Sequence, residues 1–167
     1  MHLSQTMLFQ AKWTAAIHDE WIRNLLKNRP DLSSEQLERT RRLMDSTVRD
    51  CLIAGYEQLI PTLQLPDPDD RHVLAAAIAC DADAIVTFNL QDFPTSILDE
   101  HSIAAMHPDD FVCDLCMTSP EVICETLQRH RLRLKRPAKS VEEYLSTLVT
   151  QGLTKTVTVL RSRADQL

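Results

Sequence analysis

The chain has 167 residues, 44% of them hydrophobic, with a formal charge of −6 and two glycines, Gly55 and Gly152. This length suits one domain with room for a helical appendage, and no apolar run nears the ~18 residues of a membrane span. The acidic balance excludes coating nucleic acid by bulk charge, and two lone glycines exclude a phosphate loop or a GxGxxG turn.

Thr14 is placed to cap a helix over residues 14–28, with Ile17, Trp21 and Leu25 at helical spacing and Ile22 and Leu26 beside them. Arg29 and Pro30 end it. Ser33 or Ser34 opens a second helix to about Ser46, with Leu37, Leu43 and Met44 inward and Arg39, Arg41 and Arg42 outward. Residues 50–54, DCLIA, are β-capable, and Gly55 punctuates them. Residues 56–63 read as a short helix broken by Pro61. Asp67 then stands as N-cap and Pro68 as the first residue of a helix running to about Cys80. Asp81, Ala82 and Asp83 turn the chain; residues 84–88 read as a buried strand and residues 102–106 as a weaker one. Helices follow at 108–117, 120–135, 140–150 and 153–165, separated by Pro120, Pro137 and Gly152. The helix–strand alternation predicts an α/β fold with a parallel sheet.

Acids crowd the start of the helix at 68–80. Asp67, Asp69 and Asp70 lie where the helix dipole and free N–H groups favour them, which accounts for Asp67 and Asp69. Asp70 differs: it shares a face with Leu74, Ala77 and Ile78, the buried stripe. A carboxylate there needs a cation, a metal or donors beside it. The strand end, TFNLQDF, supplies Thr87, Asn89 and Asp92, and the C-terminal strand ends of a parallel sheet line a ligand crevice. A polar loop capped by Asn and Asp is the plainer account of the same residues.

The run DPDDRHVLAAAIACDADAIVTFNLQDFP, residues 67–94, resembles the second half of a PIN domain, in particular the bacterial branch of VapC-type toxins of toxin–antitoxin pairs. TAAIHDEWIRNLL, GYEQLIPTLQLPDPDD and IAAMHPDDFVCDLC are similar to other stretches of that branch. The resemblance implies an α/β/α three-layer sandwich with a mostly parallel sheet over residues 1–117, and a helical C-terminal extension over 118–167. It also implies an endoribonuclease that hydrolyses RNA phosphodiester bonds with Mg²⁺ or Mn²⁺. Glu20, Asp70 and Asp92 would hold the metal, Asn89 would complete the catalytic set, and Thr87 and Arg71 would meet the substrate. Hard cations take oxygen ligands, so carboxylates suit that task. A small antitoxin protein and a homodimer belong to the same expectation; a cytoplasmic location without a membrane is expected from the sequence itself, whose start MHLSQTMLFQAKW lacks the basic opening and long apolar centre of a signal peptide. The second reading is a non-catalytic PIN-like scaffold that binds RNA or a protein partner, and the third is a plain helical adaptor built on the tail.

PIN domains open with an apolar strand ending in a first Asp. This chain begins MHLSQTMLFQAKW, which resembles the helix after that strand, and no acid precedes Asp19. A start set too far downstream, a truncated relative, or another segment filling the gap would each account for this; a missing N-terminal piece is the favoured expectation.

Five cysteines, an odd number, fit reduced thiols. Cys113 and Cys116 look like half a zinc site, but no second pair follows, so two buried thiols on one helix face are expected. Metal-dependent hydrolysis needs no histidine, and His72, two residues past Asp70, points elsewhere on its helix. The basic run RHRLRLKRP, residues 129–137, reads as a solvated helix end, with phosphate contact as the alternative.

Overall fold

The computed structural model of the protein describes residues 3–167. A 3₁₀ turn at Leu3–Gln5 leads to α1 (Ala15–Asn28). Thr14 caps α1 by accepting from the Ile17 amide at 3.1 Å. α2 (Ser34–Thr47) opens on a capping box, in which Ser33 and Gln36 each bond the other's backbone N–H. A 3₁₀ turn at Glu57–Thr62 accommodates Pro61, and a second at Pro68–Asp70 runs directly into α3 (Arg71–Ala79). β1 (Ala84–Val86) follows, then a 3₁₀ turn at Leu90–Asp92, the single-turn α4 (Thr95–Leu98), a 3₁₀ turn at Asp99–His101 and β2 (Ala104–Met106). The remainder is helical: α5 (Pro108–Thr118), α6 (Pro120–Arg133), α7 (Val141–Thr150) and α8 (Thr154–Arg161).

The fold is therefore α/β, with parallel pairing and a helical C-terminal region. The parallel sheet is small. β1 and β2 pair in register, Ala104 N donating to Asp83 O at 2.9 Å and Thr87 N to Met106 O at 3.0 Å. Trp13 and Leu52 add an isolated parallel bridge.

Three local expectations change. The helix anticipated before Trp13 does not form beyond Leu3–Gln5: Trp13 pairs with residues 51–53 and Thr14 takes the extended backbone of an N-cap. That pairing also realises the β-capable DCLIA stretch. The strand expected over 84–88 stops at Val86, and only Ile85 of its three residues is buried; Phe88 is 66% exposed. Leu43 does not face inward but is 53% exposed, leaving Leu37 as the buried anchor of α2.

The chain divides into two compact units. One comprises residues 10–85 and 89–105, and its core joins Leu74, Ala75 and Ala76 of α3 to Ile85, Phe93, Leu98 and Ile103. The other takes the described residues up to Phe9 with 86–88 and 106–167, and its core joins Ile123, Cys124 and Leu127 of α6 to Tyr144, Leu145, Val157 and Leu160. In this second unit α7 ends in a Schellman turn. Gly152 sits at φ +85°, Leu153 N donates to Leu148 O, and Gly152 N donates to Val149 O. No helix of the described residues is long and apolar enough to cross a membrane. All five cysteines are free thiols, and burial pushes the Cys116 thiol up to about 12, as expected of a packing residue.

Candidate metal centre

The first unit gathers its acids at the head of α3. Pro68 fixes the backbone of the turn before the helix, and Asp67 caps that turn by accepting from the Asp69 amide at 2.8 Å. Asp70 makes no such capping bond, so the simplest account of an acid at a helix start does not apply to it. Its position at the head of the Leu74 and Ala77 stripe leaves it half-buried. The 3₁₀ turn after β1 brings Asp92 back to the same place. Carboxylate oxygens of Asp67, Asp70 and Asp92 lie within 4.8 Å of one another.

Burial raises the Asp70 pKa. The neighbouring charges of Asp92, Asp67 and Glu20, and a hydrogen bond with Asp92, take it further, to about 6. A hydrogen bond between two carboxyl groups needs a shared proton, so the metal-free cluster holds that proton below about pH 6 and releases most of it by neutral pH. The donor set is all hard oxygen, with no cationic side chain among the described residues at ion-pair distance from these three acids. Such a set fits a divalent cation of the Mg²⁺ or Mn²⁺ class.

Around this core, Asn89 donates its side-chain amide to Asp92 Oδ2. Glu20 projects from α1. Its charge reaches Asp70, but its carboxylate stands outside the 4.8 Å set and lies 3.4 Å from His72 Nε2. Arg71 follows Asp70 directly, and its Nε is buried with no hydrogen-bond partner, as is His72 Nδ1. Buried polar atoms are rarely left unpaired, and two in succession beside an acid cluster mark a place where a ligand or water belongs. Thr87 lies past β1 in the stretch grouped with the second unit, its amide donating to Met106 O at 3.0 Å.

Of the expected residues, Asp70, Asp92 and Asn89 are thus brought together, Glu20 and Arg71 adjoin them, and Thr87 is grouped elsewhere. Sequence reasoning missed two participants. Asp67 reads as a cap and is one, yet its carboxylate also belongs to the cluster. His72 points off Asp70, as the two-residue spacing predicts, but meets Glu20.

The helix bearing Glu20 is held by a buried polar network. Asp45 Oδ1 on α2 accepts from Trp13 Nε1 and from His18 Nε2, both at 2.9 Å, and Trp21 Nε1 donates to His18 Nδ1 at 2.8 Å. The Trp21 bond fixes the hydrogen of His18 on Nε2. Burial opposes the Asp45 charge, but the Trp13 and His18 bonds outweigh it and its pKa falls below the usual range. A cavity of about 440 Å³ opens in the second unit among Pro137, Lys139, Glu142, Glu143 and Thr147, and contains none of these residues.

Comparison with known proteins places these features in context. Residues 1–91 match the family described as PIN domain, and residues 108–162 match the VapC50 C-terminal domain. Over 60 residues the chain is 48% identical to "Putative ribonuclease VapC50" of Mycobacterium tuberculosis (strain ATCC 25618 / H37Rv), an alignment covering 36% of this chain and 35% of that protein. The chain therefore spans about a third of the length of that curated relative. No solved structure matches the chain.

Proposed function

This chain belongs to the PIN domain family, and on that premise we propose that it is a metal-dependent endoribonuclease, the toxin of a toxin–antitoxin pair, cleaving RNA phosphodiester bonds. The observation that carries the reading is the acid cluster itself: three carboxylates within 4.8 Å, with the pKa of Asp70 raised to about 6 by burial and by its neighbours' charges. Asp70, Asp92 and Asp67 would hold Mg²⁺ or Mn²⁺, with Glu20 completing the set. When bound, the metal would activate water and stabilise charge developing on the phosphate.

The protein's own groups have separable tasks in this reading. Asn89 donates to Asp92 Oδ2 and so orients that carboxylate. Arg71 offers a buried, unpartnered Nε–H beside Asp70, a donor suited to a phosphate oxygen. A small antitoxin and a homodimer are the partners this reading carries, with residues 1–117 as the nuclease domain and 118–167 as its extension.

The test is cleavage of a structured RNA by the chain and by its Asp70→Asn variant, with and without Mn²⁺. The reading expects cleavage by the parent with Mn²⁺ alone and none by the variant. Binding of the RNA without cleavage by either would point instead to a scaffold.

A further inference from the structure

We propose that His72 is the positioning residue for Glu20, holding its carboxylate beside the acid cluster. The inference rests on the metal reading of that cluster. Glu20 projects from α1, whose backbone is anchored two residues earlier by His18 and its bonds to Asp45 and Trp21. The long Glu20 side chain is not anchored by that network. Among the described residues its one ion-pair partner is His72 Nε2, 3.4 Å from Oε2. The His72 ring is the more buried of the two, 18% exposed against 36% for Glu20, and so has the less room to move.

The chemistry of the contact sets its direction. An ionised carboxylate only accepts, so Nε2 is the nitrogen that carries hydrogen toward Glu20, and the neutral ring suffices. The separation exceeds the ~3.2 Å limit of a closed N–H···O bond, leaving room for the pair to tighten as charge at the cluster is neutralised. Without this donor, Glu20 is left with the like charge of Asp70 and swings toward solvent. Side chains that orient metal ligands carry about 10–100-fold in metal affinity when removed. His72 Nδ1 is buried with no hydrogen-bond partner, so Nε2 toward Glu20 makes the ring's one polar contact among the described residues.

Mn²⁺ titration of the full chain, followed by the electron paramagnetic resonance of free Mn²⁺, tests the assignment. The parent should bind and Asp70→Asn should not. His72→Ala should weaken binding about 10-fold, and His72→Gln, whose amide nitrogen can replace Nε2, should restore most of it. In a Glu20→Gln background His72→Ala should add no further loss, which separates a role through Glu20 from packing. Thermal melts on the same samples report folding; if His72→Ala does not fold, His72→Phe, which keeps the ring's bulk without the donor, replaces it in the parent and Glu20→Gln backgrounds, with the same outcomes expected. Parent-like or tighter binding by His72→Ala overturns the proposal, as does an equal loss in the Ala and Gln variants. If the parent fails to bind, or Asp70→Asn binds as well as the parent, the metal reading itself fails and the role of His72 falls with it.

Discussion

Asp70 has a pKa of about 6 in the folded chain against an ordinary 3.8. Between these values the folded chain keeps a proton that the unfolded chain releases. Stability from this group is therefore full below the lower value, falls as pH rises, and stays lost above the upper one. Asp70→Asn removes the penalty, so the metal-free variant should melt above the parent at about pH 7.5, and the gap should close near pH 4. Thermal unfolding at both pH values checks this; a variant less stable than the parent at the higher pH contradicts it. Asp70 was legible in the sequence because a carboxylate heading a buried stripe breaks the helical pattern. Asp67 was only half legible, since capping satisfies it locally and nothing in its spacing shows the Asp92 carboxylate arriving from 25 residues on. His72 could be excluded from the Asp70 face by its spacing, but not assigned to Glu20, which lies on another helix.

At the scale of elements, helix ends were readable and strands were not. Thr14, Ser33, Pro68, Pro108, Pro120 and Ser140 announce helix starts through their own capping or ring chemistry, and each stands at or just before one. The two strands have three residues each, too short for alternation to register, so the apolar run to Phe88 overstated the first. Contacts between distant elements were likewise invisible. Buried Asp109 of α5 accepts from the amides of Lys155 and Thr156, both at 2.8 Å, and so caps α8 across 46 and 47 residues of chain. Those bonds overcome burial and hold its pKa low. Asp109→Ala should cost about 1–3 kcal/mol, read from urea denaturation of the full chain. Asp45→Ala strips the acceptor from Trp13 and His18 and should cost roughly 2–4 kcal/mol, with α1 losing hydrogen-exchange protection.

For the whole molecule, each compact unit has its own apolar cluster, and fold class followed from the alternation of helix and strand signals that build them. Leu74 is fully buried in one cluster and Leu145 in the other. Leu74→Ala and Leu145→Ala should each destabilise by about 2–5 kcal/mol, measured as the shift in chemical unfolding. The net charge of −6 makes long-range attraction to RNA weak, so this account places recognition in local donors such as Arg71 and in a cation supplied from solution. The most direct measurement is therefore Mn²⁺ binding to the parent chain by calorimetry, at pH values on either side of about 6, beside Asp70→Asn. The account predicts saturable binding above that pH, weakening as protons return to Asp70, with proton release on binding near it, and all of this lost in the variant. Equal binding by parent and variant, or binding indifferent to pH through this range, would contradict a metal centre at Asp67, Asp70 and Asp92.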